Sequence, residues 1–84
     1  MPRNIAKPLS RDEAMRAYAL RDTLEIGRTV TLDYVKRDGS ESTSTGEVVF
    51  HNGVEGMDTM SVTLATEDKG NRTINLCRVT NVTI

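Results

Sequence analysis

From Ala14 to Leu24 apolar residues recur at helical spacing: Ala14, Ala17, Tyr18, Leu20 and Leu24 share one broad stripe, while Arg16, Asp22 and Glu25 fall elsewhere on the wheel. Ser10-Arg11-Asp12-Glu13 precedes that stripe and has the spacing of a capping box, in which the serine hydroxyl accepts from the Glu13 N–H and the glutamate returns the bond. Gly27 closes the run, so the pattern predicts a helix over about residues 11 to 25. Beyond Gly27 the period changes from 3.6 to 2. Val30, Leu32 and Tyr34 alternate with Thr29, Thr31 and Asp33, as in a half-buried strand.

Four more strands follow on the same logic. Gly46 to Asn52 places Val48 and Phe50 on one face, with Glu47, Val49 and His51 on the other, and Thr59 to Thr66 points Met60, Val62 and Leu64 inward. Asn71 to Leu76 brings Ile74 and Leu76 to the core, and Val79 to Ile84 forms a closing strand with Val82 and Ile84 on one face. The polar run Lys36 to Thr45, with Asp38-Gly39 inside it, predicts a long hairpin loop. Asn52-Gly53 to Asp58 and Glu67 to Gly70 predict turns, and Cys77-Arg78 a 3₁₀ turn. The expected fold is mainly β (α+β): an N-terminal α-helix followed by a five-stranded antiparallel SH3-like barrel. Three segments result, namely a flexible basic arm over 1–9, a helix over 10–26 and a small β-barrel over 28–84.

Part of the C-terminal half has a more particular likeness. Arg72-Thr73-Ile74-Asn75-Leu76-Cys77-Arg78-Val79 resembles the Arg-x-hydrophobic-x-Leu-x-Arg-Ile/Val run that closes the barrel of WYL-type domains, and Val30-Thr31-Leu32-Asp33-Tyr34 resembles the first strand of that family. The similarity spans Arg28 to Ile84 and implies the barrel. The Trp-Tyr-Leu triplet that names the family is missing, so ligand sensing of that kind is not implied. The size and the stand-alone barrel also resemble small accessory proteins of phages and actinobacteria.

Composition narrows the range of chemistry. An 84-residue chain with three aromatics (Tyr18, Tyr34, Phe50) and no tryptophan has a thin aliphatic core, a shortfall that oligomerisation often makes good. Cys77 is the single cysteine and His51 the single histidine, which leaves no ligand set for zinc and no supported nucleophile–base pair. The expectation is that Cys77 is a small buried hydrophobe and that His51 is an exposed polar residue at a strand end with no special role. The glycines fall at expected turns and element ends and match no phosphate loop or dinucleotide fingerprint, while Glu67-Asp68 belongs to a solvated turn. Catalysis and cofactors are therefore not expected. With neither a signal-peptide core nor a membrane span, the chain reads as soluble and cytoplasmic with no membrane partner, and the sequons at Asn71 and Asn81 carry no weight.

The net charge of −1 conceals an asymmetry: residues 1 to 37 sum to +3 and the remainder to −4. A basic front half can meet an anionic partner, and an acidic back half can pair with the front of a neighbouring copy. Three binding readings follow. The first is a small accessory or regulatory protein that acts through protein–protein contact, including self-assembly into a homo-oligomer. The second is a nucleic-acid-binding barrel; Arg3, Lys7, Arg11, Arg16, Lys36 and Arg37 are the candidate partner contacts for an anionic surface. The third is a binder of a small anion such as a nucleotide, with Arg28, Arg72 and Arg78 on one rim, against which stands simple cross-strand pairing of Arg72 and Arg78 with Glu47 or Asp33.

Overall fold

The computed structural model describes residues 7–84. Ser10 caps helix α1 (Arg11–Thr23) with both bonds of the capping box in place, and Asp12 and Glu13 sit in the first turn where the helix dipole favours acids. Leu24 ends the helix by donating its N–H to the Leu20 carbonyl at 2.9 Å. Five strands follow: β1 (Thr29–Val35), β2 (Glu41–Asn52), β3 (Ser61–Thr66), β4 (Gly70–Asn75) and β5 (Val79–Thr83), with a 3₁₀ turn (Leu76–Arg78) between the last two. They form one antiparallel sheet in the order β4-β3-β2-β1-β5, so the 3₁₀ turn carries the chain from one edge strand to the other. The class is therefore mainly β with one helix. No helix of the described residues is long and apolar enough to cross a membrane.

One face of the sheet supplies the core. Val30, Leu32 and Tyr34 from β1, Val48 from β2, Val62 and Leu64 from β3, Ile74 from β4 and Val79 from β5 are buried together with Met60 and Leu76. Ala17 and Leu24 of the helix stripe join them, and Tyr18 and Leu20 pack against the cluster half-buried. The helix lies on the 3₁₀ turn, and the Arg16 guanidinium donates to the Val79 carbonyl, tying α1 to the start of β5.

Residues Lys7 to Leu9, within the stretch expected as a flexible arm, run alongside residues 56 to 58. The Leu9 N–H donates to the Gly56 carbonyl and the Asp58 N–H to the Lys7 carbonyl, each at 2.9 Å, around a Pro8–Met57 bridge.

Two expectations are corrected. The long loop over Lys36 to Thr45 is instead a tight turn of Lys36 to Ser40 followed by strand: the Lys36 N–H donates to the Ser40 carbonyl at 2.8 Å, Gly39 takes φ 89°, and Asp38 accepts from the Ser40 N–H and hydroxyl at 2.9 and 2.6 Å. Residues 41 to 45 pair with β1 through polar side chains. Thr45 bonds Thr31 at 2.7 Å, Thr43 donates to Asp33 at 2.7 Å, and Ser44 bonds the Tyr34 hydroxyl at 3.0 Å. The inward positions are the small Ser44 and Gly46, so alternation persists without a hydrophobic signature.

Phe50 is the second correction, since it does not share the inward face with Val48. Val48 faces Leu64 and Phe50 faces Thr63, one step apart on β3 and two on β2. The bulge reverses the alternation and leaves Phe50 57% exposed while Val48 is fully buried. A similar irregularity where β5 meets β1 at Asp33/Tyr34 puts both Val79 and the half-buried Val82 on the core side, while Ile84, expected to share the face of Val82, lies past the end of β5 and is exposed.

Candidate functional site

Where β1 runs into its hairpin it passes the start of β3, the end of β4 and the 3₁₀ turn, and a cavity of about 430 Å³ opens between them. Lys36, Arg37 and Arg78 line it, and no carboxylate does. The backbone explains how three cations from two distant stretches of sequence come to line one cavity. Lys36 and Arg37 lead the tight turn, while Asn75 caps the 3₁₀ turn by accepting the Cys77 N–H at 2.8 Å and so sets the position of Arg78.

The remaining polar wall groups are engaged within the protein. Ser61 donates to the Thr59 carbonyl at 3.1 Å, Thr73 shares a bond of 2.9 Å with Thr63, and the Asn75 amide donates to the Asp58 carbonyl at 2.7 Å. Hydrogen-bonding capacity toward a ligand thus resides mainly in the three cations. Tyr34 forms part of the wall, but it is 9% exposed and presents no ring face for stacking. The Ser42 hydroxyl, then that of Ser44, hold its phenol below the usual tyrosine range; burial opposes this, and the charges of Arg72 and Lys36 add to it. Arg72, on β4 opposite Leu64, therefore lies within electrostatic reach of the same corner.

The cross-strand pairing expected for Arg72 and Arg78 is not what forms. The two ion pairs among the described residues are Arg21–Glu55 at 2.7 Å and Arg28–Glu25 at 3.5 Å, so Lys36, Arg37, Arg72 and Arg78 keep their charges uncompensated by direct contact. Burial of uncompensated cations is costly, and these four avoid it by remaining exposed.

The other sequence-predicted contacts are dispersed. Arg28 precedes β1, at the opposite end from Lys36, and is held by Glu25 and by the Thr23 carbonyl at 3.4 Å, so the single rim expected for Arg28, Arg72 and Arg78 does not form. Arg16 is engaged with Val79. Arg11 begins the helix, and Lys7 lies beside Asp58, where its backbone N–H donates to the carboxylate at 3.0 Å; neither lines the cavity. Arg3 lies outside the described residues. Of the six candidate partner contacts, the structure thus brings Lys36 and Arg37 together with Arg78 of the candidate anion set. Sequence reasoning missed the wall residues Ser61, Thr73 and Asn75, whose alternating polar pattern reads only as the outer face of strands.

At the other ends of β1 and β3 a larger polar groove of about 740 Å³ runs between Thr29, the middle of β2 and the β3–β4 turn. Glu47, Glu67 and Asp68 line it together with Lys69. Gly46, one of its lining residues, is an inward position of β2 where a Cβ would stand 2.4 Å from the Ala65 carbonyl oxygen, so only glycine lets the strands approach this closely. His51 and Cys77 are placed apart. The His51 Nε2 bonds the Leu24 carbonyl at 2.5 Å, whereas Cys77 sits on the 3₁₀ turn beside Glu13 and Ala17 and, contrary to the expected burial, is exposed, because Leu76 takes the inward position of that turn. Burial, aided by the Glu13 and Asp58 carboxylates, raises the Cys77 thiol above its usual range, the wrong direction for a nucleophile. Comparisons with protein-family models, with curated proteins and with solved structures find no match to this chain.

Proposed function

We propose that the chain is a non-enzymatic binding module, an accessory or regulatory protein that takes an acidic protein segment at the Lys36–Arg37–Arg78 corner. One observation carries this reading: three cations with no carboxylate in their cavity wall and no ion pair of their own. Exposed guanidinium and ammonium groups left unpaired are ready donors to carboxylates, and Arg37 and Arg78 can each grip one bidentately.

An acidic polypeptide suits the corner better than a nucleic acid. No aromatic ring face is presented at the cavity for base stacking, and the net charge of −1 with an acidic groove elsewhere repels an extended polyanion more than a short segment. A small anion such as a nucleotide shares the charge requirement, and competition separates it from a peptide. We also propose SH3-like closure of the sheet and the WYL-type likeness for its barrel. Strand order, the 12-residue β2 and the 3₁₀ turn before β5 support the closure. A cytoplasmic setting belongs to the same proposal.

Fluorescence anisotropy with a labelled oligoglutamate peptide, a labelled oligothymidylate of equal charge and unlabelled ATP as competitor tests the reading. Peptide binding that weakens as salt rises from about 50 to about 200 mM, and that drops about tenfold or more in Arg37→Glu and Arg78→Glu, is the expected result. No peptide binding at the lower salt would overturn it. Tighter binding of the oligonucleotide would put nucleic acid in its place, and full displacement by ATP at lower concentration than by peptide would put a nucleotide there.

A further inference from the structure

We infer that the acidic segment received by the cationic corner is the acidic groove of a second copy of this chain, so that the Lys36–Ser40 hairpin tip of one copy seats in the groove of another. The inference rests on the reading of the corner as an acid-binding surface and names its partner. Three observations lead to it.

First, the charges are complementary. The tip and its neighbourhood present Lys36, Arg37 and Arg78, and the groove presents Glu47, Glu67 and Asp68 against the single Lys69. Asp38, the carboxylate within the tip, keeps its charge while it accepts two bonds from Ser40, and the net positive charge of the corner is the excess of Lys36, Arg37 and Arg78 over it.

Second, the two surfaces cannot satisfy each other within one molecule. Tyr34 to Arg37 and Ser61 belong to the corner, whereas Thr29, Ala65 and Thr66 belong to the groove, so the sites lie at opposite ends of β1 and β3. A seven-residue strand spans about 23 Å. That distance exceeds the Debye length of about 8 Å at physiological ionic strength, so each end acts as a local charge and the pair can meet only between copies. With a net charge of −1, no strong overall repulsion keeps copies apart.

Third, the shapes correspond. Every residue from Lys36 to Ser40 is exposed, which makes the turn a protruding tip. The groove is about 740 Å³ in volume, and its charged lining residues Glu47, Glu67, Asp68 and Lys69 are all exposed to an incoming tip. In a two-fold pair each copy gives its tip to the other's groove, a closed isologous arrangement; without closure the same contact propagates head to tail.

Sedimentation velocity of the full chain at low and high salt tests this first without any substitution: association at low salt that dissolves as salt rises is expected. Two charge-reversed variants then address the surfaces separately, K36E/R37E for the tip and E47K/E67K/D68K for the groove. All five positions are exposed, and circular dichroism checks that the fold is kept. Each variant alone loses self-association by about tenfold or more in Kd, and mixing the two restores a complex through the tip of the groove variant and the groove of the tip variant. A strict monomer at low salt, or association indifferent to salt and to both variants, would overturn the inference. Oligoglutamate binding by a strictly monomeric protein would remove this inference and leave the corner reading intact, whereas no peptide binding at low salt would remove both.

Discussion

At Gly46 a single added methyl group would collide with the Ala65 backbone, because the Cβ position lies 2.4 Å from a carbonyl oxygen that pairs two strands. Gly46→Ala is therefore expected to destabilise the chain by about 1–3 kcal/mol, the range for forced overpacking, and a denaturation midpoint equal to the parent's would contradict the close approach. Glycine at position 53 is required more strictly still, having φ 85° and a Cβ position 2.1 Å from the Thr59 carbonyl oxygen. Cys77 offers a different residue-level test. Its side chain is exposed, yet burial of the thiol and two nearby carboxylates raise its pKa, so less of it is thiolate at neutral pH than in an unfolded chain. Alkylation by iodoacetamide near neutrality should run several-fold slower in the folded protein than in the urea-unfolded one, and equal rates would refute the assigned environment.

The helix is the element whose stability is most open to local manipulation. Ser10 and Glu13 close the capping box at 3.3 and 3.2 Å, and Ser10→Ala should cost about 0.5–2 kcal/mol. The same pair sets a pH dependence. Bonds from the Ser10 hydroxyl and then the Ser10 backbone N–H to its carboxylate lower the Glu13 pKa below its unfolded value, so the contribution is complete above the ordinary glutamate range and disappears as pH falls through the lower folded value. The protection factors of first-turn amides, each referred to the intrinsic exchange rate at the same pH, should fall toward acid pH in the parent and show no such added pH dependence in Ser10→Ala. The β1–β2 hairpin behaves as a second unit. Its tight turn rests on Asp38, whose bonds from the Ser40 hydroxyl and N–H lower its pKa in the same way, so the turn too loosens in acid.

For the whole molecule, one thin core ties these parts together. Leu32, Leu64 and Leu24 are fully buried among aliphatic neighbours, and few aromatics are present to share the load. Truncation of Leu64 to Ala removes packing at the centre of the sheet and is expected to lower stability by about 2–5 kcal/mol, a large fraction of what a domain this small possesses. Retention of the parent's thermal midpoint by that variant would show that the core does not act as one unit. The surface has the contrasting property of two separated charge centres. Contacts made through such centres would be electrostatic rather than apolar, which is why salt is the controlling variable in each binding test above.

Residue spacing alone determined the helix with its cap, the change to strand at Gly27, five strands, the 3₁₀ turn and most of the core, because periodicity and capping are local properties of the chain. It misread the start of β2, where serine, threonine and glycine take inward positions, and the orientation of Phe50, because a bulge is created by pairing with another strand and leaves no mark in the residues themselves. The candidate site follows the same division. Lys36, Arg37 and Arg78 stand out in the sequence as cations, but their gathering around one cavity, the removal of Arg28 to the far end of β1 and the attachment of Arg16 to Val79 were decided by tertiary structure. Contacts between residues some forty positions apart depend on how the sheet brings its strand ends together, and linear spacing holds no record of that geometry.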